Sequence, residues 1–379
     1  MTFGHFVIDS YPALLFALLP IFVTRLQIDF TRAGILATVL LTTSSVTQPA
    51  FGFLQDRYPR LQLSSAGLLL SGAAMGLTGF VTTYPLMLAL VVVAGIGSAA
   101  FHPQAVSQAA RASTGRPGWG IAVFFTGGST GTAAMTLTIV PAVMFFGPHA
   151  TLITLVPAIV AATLFTRAYR TWLKPVPAEH PAGLGHMRPV ALPLAMLITI
   201  SILRSAVMTA YLTFLPALVV ARTGSLSLGA FALAAFLISG SIGALLGGLA
   251  ANRVGAARVV LVSLLAGTVL LFPAPWLPGP ALVPWMFVTG ILVFASEAQV
   301  TALAQGLLPD LVGVASSLMM GVGLGIGNIG AVLTGAIADR QGLQMALTVT
   351  SVLMVGAIAA AVVFISSLRL RAAPKLREA

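Results

Sequence analysis

The sequence contains no cysteine and very little charge. None of its 379 residues is Cys, and only 7% are Asp, Glu, Lys or Arg. Without Cys, the chain has no disulfide framework, no thiolate metal site and no Cys nucleophile. Water-soluble domains carry about a quarter of their residues as charged side chains. A chain this poor in charge cannot present enough polar surface to stay dispersed in water.

Long apolar runs make up most of the chain instead. Hydrophobic residues account for 58% of the sequence, and the mean hydropathy is +1.03. The hydrocarbon core of a membrane is about 30 Å thick and requires roughly 20 apolar residues per helix. Strands of a membrane β-barrel would be shorter and would alternate apolar with polar residues, whereas these runs are apolar on all sides. The sequence therefore predicts an all-α membrane protein.

Twelve transmembrane helices are predicted, joined mostly by short connections. The first lacks a basic leading segment and contains His5 and Asp9, so we interpret it as a span rather than a cleaved signal peptide. The predicted spans 1 to 12 cover residues 3–26, 30–53, 63–81, 86–106, 118–146, 149–172, 190–221, 227–251, 259–277, 284–306, 313–337 and 343–368.

Basic residues are distributed unequally between the two sets of loops. With the N-terminus in the cytoplasm, the loops on that side carry fourteen Lys or Arg residues and the loops on the other side carry four. The positive-inside rule therefore predicts cytoplasmic N- and C-termini. The net charge of +11 does not indicate a nucleic-acid partner, because the basic residues fall between apolar runs rather than on one domain face.

The two halves of the sequence repeat each other. The matched features are Leu19-Pro20 with Leu215-Pro216, Asp56-Arg57 with Asn252-Arg253, Gly95 with Gly290, and the motifs GGSTG and GIGNIG that begin at Gly127 and Gly325. Their displacements are 196, 196, 195 and about 199 residues. Such a constant offset predicts two pseudo-symmetric six-helix bundles, residues 1–172 and 190–379, related by an axis along the membrane normal. A Pro- and Gly-rich cytoplasmic linker, 173–189, joins them.

Several motifs resemble the major facilitator superfamily of transporters. The GFLQDRYPR run at 52–60 resembles the superfamily signature between spans 2 and 3. The opening GHFVIDSYPALLFALLPIF, the GIGSAAFHPQA run at 95–105 and the GGSTG of span 5 look like its fosmidomycin-resistance branch. The superfamily resemblance covers the whole chain. It implies a multi-pass protein of the bacterial cytoplasmic (inner) membrane in which spans 1, 4, 7 and 10 line a central cavity and spans 3, 6, 9 and 12 face lipid.

The ionisable residues inside the spans agree with that implied cavity. They are His5, Asp9, His102, Arg204 and Glu297, on spans 1, 1, 4, 7 and 10. A charge at the centre of a membrane helix costs about 2.5–3.5 kcal/mol on insertion scales. Each of these side chains therefore needs a partner or water.

His5, Asp9 and His102 are predicted to lie at similar depth. At a rise of 1.5 Å per residue, the three side chains can form one protonatable cluster in the cytoplasmic half of the first bundle. A carboxylate beside imidazoles in a partly dry cavity is a natural site for proton coupling. Alternatively, the cluster is a permanent hydrogen-bonded clamp between spans 1 and 4, and His5 alone could lie at the membrane interface.

Arg204 and Glu297 allow two interpretations. A guanidinium cannot be neutralised, so Arg204 must meet a carboxylate. In one interpretation Arg204 and Glu297 pair with each other or with Asp9, as a structural contact or a switch. In the other, Arg204 binds an anionic substrate while Glu297 or Asp9 takes the proton. Further polar side chains that could contact substrate, or instead join helices, are Tyr11, Tyr211, Gln48, Gln299 and Asn328.

Asp56, Arg57 and Arg60 are candidate gating residues. They follow span 2 at the cytoplasmic face, where a carboxylate can accept hydrogen bonds from the start of a facing helix, as the superfamily resemblance also implies. The similar GAIADRQG run at 335–342 falls on the other side of the membrane, and we interpret it as a turn.

These observations favour a proton-coupled secondary active transporter that works by alternating access. We expect export of a small polar or anionic compound or drug of the fosmidomycin type, as in an antiporter that confers drug resistance by efflux. Span 5 lacks the Pro of the superfamily's antiporter pattern, so uptake of an organic anion by proton symport is the alternative. A non-transporting receptor would need a sensing module, and an intramembrane enzyme would need a convergent catalytic set.

We therefore expect no enzymatic activity and no cofactor. The Gly-x-Gly patterns lack the preceding strand and following Lys of a nucleotide-binding loop. We also expect no metal site, because the two linker histidines, His180 and His186, lack ligand spacing. The predicted partners of this monomer are protons, a small-molecule substrate and the lipid bilayer.

Overall fold

The computed structural model describes residues 1–58, 61–112, 117–172 and 189–372. Within these ranges the secondary structure is helical throughout, without strands. The α-helices are α1 (Thr2–Leu26), α2 (Phe30–Val46), α3 (Gln48–Arg57), α4 (Leu63–Leu77), α5 (Tyr84–Ala112), α6 (Pro117–Phe146), α7 (Leu155–Trp172), α8 (Ala191–Thr223), α9 (Leu226–Val254), α10 (Ala256–Leu271), α11 (Gly279–Phe294), α12 (Glu297–Leu307), α13 (Val312–Ser317), α14 (Leu324–Gly327), α15 (Gly330–Ser351) and α16 (Leu353–Ala372). The linker residues 173–188, Arg60 and the side chain of Asp56 lie outside the description.

Ten helical segments of the described chain are long and apolar enough to cross a membrane. One of them, Gly313–Leu368, contains two spans, because the chain reverses at Gly342 (φ 81°, ψ 161°). Thr334 Oγ1 and Thr350 Oγ1, on either side of the reversal, lie 2.7 Å apart. The ten segments, with this one counted twice, give eleven spans.

The twelfth span is formed by α2 and α3. They meet at Thr47, whose backbone keeps right-handed helical angles (φ −87°, ψ −10°), so the two helices continue one another. The all-helical fold with twelve spans is therefore confirmed for the described residues. We name the membrane side at which α1 begins the terminal face, and the side at which α1 ends the opposite face.

Two predicted spans are interrupted near their middle. Span 10 breaks at residues 295–296, between α11 and α12, immediately before Glu297. Span 11 contains a π-helical turn, Leu318–Gly323, and a second break between α14 and α15. Such π-helical turns occur frequently at functional sites.

The same side-chain contact occurs in both halves. Near the opposite face, Arg25 Nη1 donates to the backbone oxygen of Gly79 at 2.5 Å, and Arg222 Nη1 donates to that of Leu277 at 2.5 Å. The two arginines are 197 residues apart and their acceptors 198 residues apart. Equivalent contacts at this offset agree with the sequence repeat. The exact boundaries of the two six-helix bundles, at residues 172 and 190, stay a prediction.

The two halves pack closely where α2 meets α15. A Cβ atom added to Gly34 would collide with the backbone of Ala331, and one added to Gly335 would collide with the backbone of Phe30. Only glycine allows the two helices to approach this closely. Both contacts lie toward the opposite face.

Candidate functional site

A cavity of about 190 Å³ lies between the two halves. Its lining includes two carboxylates, those of Asp9 and Glu297, together with Ser129, Thr132, Leu237, Gly240, Ser241, Ala244 and Phe294. These residues come from α1 and α6 in the first half and from α9, α11 and α12 in the second. Spans 1 and 10 thus line the cavity as the resemblance implied, but its other walls come from spans 5 and 8 rather than from spans 4 and 7.

Asp9 lies between two imidazole rings. Its Oδ2 is 3.0 Å from His5 Nε2, and its Oδ1 is 3.2 Å from His102 Nε2. His5 and Asp9 are one turn apart on α1, whereas His102 reaches them from α5. The structure therefore brings together the three residues of the predicted cluster, at the wall of the cavity.

The backbone fixes both imidazole rings. Nδ1 of His5 lies 2.8 Å from the backbone oxygen of Phe124, and Nδ1 of His102 lies 2.8 Å from that of Ser98. A carbonyl oxygen can only accept, so each Nδ1 carries the hydrogen and donates it. Each Nε2 is consequently directed at Asp9. The His5 ring also stacks on Phe124 at a centroid distance of 3.9 Å and is almost wholly buried.

The glycines of the GGSTG motif make room for this cluster. A Cβ atom on Gly128 would collide with the Asp9 carboxylate and the His5 ring, and a Cβ atom on Gly131 would collide with the backbone of Phe6. The Thr132 hydroxyl, one turn beyond Gly128, donates to the backbone oxygen of Asp9 at 3.2 Å. Close packing of α6 on α1 therefore holds Asp9 in place. The ligand atoms of His5, Asp9 and His102 all lie within 4.8 Å of one another, so these residues could also hold a metal ion.

Arg204 and Glu297 form an ion pair on the other side of the cavity. Arg204 Nη2 lies 3.5 Å from Glu297 Oε1. The Arg204 side chain is only 5% exposed, whereas that of Glu297 is 47% exposed and lines the cavity. The structure thus contains the pairing of the first interpretation. However, Arg204 Nη1 is buried and has no hydrogen-bond partner among the described residues, so it could bind one more acceptor.

Two tyrosines that were candidate substrate contacts lie in helix packing. The Tyr11 hydroxyl donates to the backbone oxygen of Thr154 at 3.5 Å, and the Tyr211 hydroxyl lies 3.0 Å from Ser351 Oγ. Tyr211 also donates to the backbone oxygen of Leu271 at 2.6 Å. Thr154 and Ser351 are 197 residues apart, so the two tyrosines join helices in equivalent places. Neither lines the cavity, in agreement with their alternative interpretation as contacts between helices.

Asn328 also connects helices. Its side-chain oxygen accepts from the Thr209 hydroxyl at 3.1 Å, and its backbone oxygen accepts from the Thr38 hydroxyl at 2.7 Å. These contacts join spans 2, 7 and 11 at the break in span 11. Gln299 is buried on α12, two residues after Glu297, and Gln48 is partly exposed at the start of α3.

Asp339 is a functional candidate that the sequence interpretation missed. Its Oδ1 accepts from the backbone N–H of Phe30 at 2.7 Å, and its Oδ2 accepts from the backbone N–H and the hydroxyl of Thr31 at 3.0 and 2.5 Å. We name these three bonds the Asp339 cap, because they satisfy the free N–H groups at the start of α2. The interpretation of the GAIADRQG run as a turn was wrong, because residues 335–341 are helical and the chain reverses only at Gly342. The G-x-x-x-D-R pattern that this run shares with residues 52–57 was the signal for this role.

The predicted gate on the terminal face is described only in part. Arg57 is exposed at the end of α3, while Arg60 and the Asp56 side chain fall outside the description. The described helices of the two halves are joined by the Asp339 cap at the opposite face.

Twelve helical spans in two similar halves, with ionisable groups at a cavity between them, define a polytopic protein of the transporter class. Residues 1–327 match the model of the Major Facilitator Superfamily. The chain belongs to the major facilitator superfamily.

Relatives with similar sequences agree with this family. The chain is 31% identical over 356 residues to an MFS-type transporter of Bacillus subtilis (strain 168), YfnC, with 89% of this chain and 85% of the relative covered. It is 24% identical over 358 residues to the fosmidomycin resistance protein of Escherichia coli (strain K12), with 91% and 87% covered. The resemblance to the fosmidomycin-resistance branch is thereby confirmed.

Solved structures show the same fold. A bacterial homolog of the human lysosomal transporter Spinster, in an inward-facing and occupied conformation, matches with a TM-score of 0.79 and 14% identity, over 96% of this chain and 95% of that chain. The nucleoside transporter NupG matches with a TM-score of 0.76 and 15% identity, over 96% of each chain.

Proposed function

We propose that this protein is a proton-coupled secondary active transporter that exports a small polar or anionic compound by alternating access. The observation that carries the proposal is the cavity between the halves, where Asp9 and Glu297 each stand beside a basic partner. Ionisable residues inside a membrane are costly and characteristically mark ion or substrate pathways. The likeness to a fosmidomycin resistance protein supports efflux of a drug or metabolite.

Proton uptake would alter the contacts that each carboxylate makes. Protonation of Glu297 removes the negative charge that faces Arg204, and Arg204 then needs another anionic partner in its buried position. Protonation at the Asp9 cluster similarly weakens the connection between α1 and α5. Each event changes the contacts of helices that line the cavity, and thereby couples proton movement to rearrangement of the two halves.

The proposed orientation has both termini in the cytoplasm of a bacterial cell, because most basic loop residues lie on the terminal face. In this orientation, the Asp339 cap would close the protein to the outside. We propose that the mirrored pattern at Asp56-Arg57 makes the corresponding contact at the terminal face when the transporter opens outward. The proposed working unit is a monomer.

Transport assays in proteoliposomes test the coupling. We expect Glu297→Gln and Asp9→Asn each to abolish flux driven by a pH gradient while the purified proteins keep the wild-type elution profile and helix content. Asp29→Asn, an exposed carboxylate at the start of α2, is the matched control and should transport normally. Undiminished gradient-driven flux in both Glu297→Gln and Asp9→Asn would overturn the proton assignment. A growth-inhibition screen across antibiotic classes, with and without expression, identifies the substrate to use.

Uptake of an organic anion by proton symport is the second candidate. The missing antiporter Pro in span 5 favours uptake. The buried Arg204 Nη1, which has no hydrogen-bond partner among the described residues, supports an anionic substrate, because it could hold a carboxylate or phosphonate. The direction of flux under an imposed pH gradient separates the two candidates. An Arg204→Lys variant whose affinity for the substrate is unaltered would argue against a contact between Arg204 and an anionic substrate, whether the protein exports it or takes it up.

A further inference from the structure

We propose that His5, Asp9 and His102 bind a divalent first-row transition-metal ion such as Zn²⁺. The inference concerns the site of the proposed function, but it requires neither proton coupling nor a direction of transport. The sequence did not predict it, because Asp9 and His102 are 93 residues apart and no ligand spacing links them. Only the packing of α5 and α6 against α1 brings the three side chains together.

The hydrogen bonds of the two rings determine which nitrogen faces Asp9. Both Nδ1 atoms donate to backbone oxygens, those of Phe124 and Ser98. In a neutral imidazole, the nitrogen without hydrogen is an acceptor. The two Nε2 atoms therefore direct lone pairs at a carboxylate that also only accepts. When both rings are neutral, three acceptors converge in this way and a cation between them satisfies all three; this cation is a proton in the proposed coupling and a metal ion in the present proposal.

The surroundings of the rings are those of metal-binding histidines. A histidine that ligates a metal almost always donates its other ring N–H to a carboxylate, a backbone carbonyl or water. Both His5 and His102 have this arrangement. The His5 ring is further held by stacking on Phe124 and by the close approach of Gly128. The donor atoms are thus oriented before any metal ion arrives, which reduces the cost of binding.

The distances suit a small ion. Zn²⁺ binds histidine nitrogen and carboxylate oxygen at about 2.0–2.2 Å, so neighbouring ligands of a tetrahedral ion are roughly 3.3 Å apart. The Asp9 oxygens lie 3.0 and 3.2 Å from the two Nε2 atoms. All three ligand atoms lie within 4.8 Å of one another, so binding of one ion would draw them closer together.

The donor set and its access define the class of ion. Two imidazoles and one carboxylate suit Zn²⁺, Ni²⁺, Co²⁺ or Fe²⁺, whereas Mg²⁺ and Ca²⁺ prefer oxygen ligands alone. Asp9 lines the cavity with its side chain 32% exposed, so an ion can reach it from water. Three protein ligands leave at least one coordination position, and the hydroxyls of Ser129 and Thr132 line the same cavity.

Cobalt absorption spectroscopy tests the site directly. The probe is Co²⁺ added to the full chain, purified in detergent after removal of its affinity tag, because bound Co²⁺ absorbs visible light and its bands report on coordination. We expect saturation at one ion per chain and displacement by Zn²⁺. The other three histidines are removed together in the control variant His149→Ala/His180→Ala/His186→Ala, which should bind Co²⁺ as the wild type does.

Substitutions in the cluster complete the test. We expect His102→Ala, His5→Ala and Asp9→Asn each to weaken Co²⁺ binding at least about tenfold, since loss of even an outer contact costs 10–100-fold. Because His5 is buried, His102→Gln serves as a variant that keeps volume and polarity, and thermal unfolding reports whether each protein is folded. Absence of Co²⁺ binding in the wild type, undiminished binding in His102→Gln and Asp9→Asn, or loss of binding in the triple-histidine control would overturn the inference.

The proposed metal site and the proposed proton coupling can be overturned independently of each other. Proton-driven flux that depends on Asp9, in a protein that binds no Co²⁺, overturns only the metal site. Saturable Co²⁺ binding at the cluster, in a protein whose flux does not depend on the pH gradient, overturns only the proton coupling.

Discussion

The carboxylate of Asp339 lies 2.7 Å from the backbone nitrogen of Phe30, across the interface between the two halves of the protein. Together with the two bonds to Thr31, this contact places a negative charge at the N-terminus of α2. Helix N-termini favour anions because their first N–H groups are unpaired and carry partial positive charge. The Asp339 cap therefore contributes to closure of the opposite face.

Asp339→Asn should destabilise the closed opposite face. An amide has one acceptor oxygen and no charge, so the cap loses charge-assisted bonds worth about 1.5–3 kcal/mol, or a shift of roughly ten- to a hundredfold in the ratio of the two states. Because the chain contains no cysteine, spin labels can be attached to Arg32→Cys and Gln341→Cys alone. We expect electron paramagnetic resonance to show longer distances between the labels in Asp339→Asn.

Asp29→Asn is the matched control for the cap. Asp29 accepts from the backbone N–H of Arg32 at 2.7 Å at the start of the same helix, but within one half of the protein. Its replacement should leave the distances between labels unchanged. Equal distance distributions in the wild type and Asp339→Asn would show that the cap does not govern closure.

Gly34→Val should prevent the closed conformation altogether. The added side chain would occupy the position of the Ala331 backbone, and a backbone atom cannot move aside as a flexible side chain can. We expect flux to be lost while the protein remains folded, with the population displaced toward the state open at the opposite face. Gly306→Val is the control, because a Cβ atom there meets nothing within 4 Å. Normal flux by Gly34→Val would contradict this account of the α2–α15 contact.

Tyr211→Phe should reduce stability more than Tyr11→Phe does. The Tyr211 hydroxyl makes two short hydrogen bonds, at 2.6 and 3.0 Å, whereas the Tyr11 hydroxyl makes one at 3.5 Å. A net loss of about 0.5–1.5 kcal/mol per buried bond predicts a lower melting temperature for Tyr211→Phe in detergent. Both variants should keep the substrate affinity of the wild type. A marked loss of affinity in either would restore that tyrosine as a substrate contact.

The sequence predicted the parts of this structure that local chemistry determines. Length and hydropathy give the twelve spans, and the cost of burying charge identified Asp9, Glu297 and Arg204 as residues that need partners. Depth along the helices was enough to group His5, Asp9 and His102. These inferences require only the rise of a helix and the thickness of a membrane.

Other features depend on packing between distant segments and were not predictable. The repeated G-x-x-x-D-R pattern could have indicated Asp339, but not its partner, because Asp339 meets Thr31 across 308 residues. The break before Glu297 could not be predicted from the sequence either, since Ala295 and Ser296 are ordinary residues in a transmembrane helix. The walls from spans 5 and 8 depend on the close packing of α6 on α1 and of α9 on α11, which glycines such as Gly128 and Gly243 allow.

The pairing of Arg204 with Glu297 leads to a prediction that distinguishes a structural role of this ion pair from a role in transport. Glu297→Gln leaves a buried guanidinium without its carboxylate, and an uncompensated buried charge destabilises a protein strongly. We expect a lower melting temperature in detergent and no gradient-driven flux.

The double variant Arg204→Met/Glu297→Gln removes both charges. Replacement of a buried ion pair by apolar or neutral groups of similar volume is often neutral or stabilising, so the melting temperature should recover toward that of the wild type. Flux should remain absent, because the proposed function requires a titratable group at position 297 and a cation at position 204. Recovery of stability together with flux would assign the pair a structural role only, and would leave the Asp9 cluster as the sole candidate for coupling among the described residues.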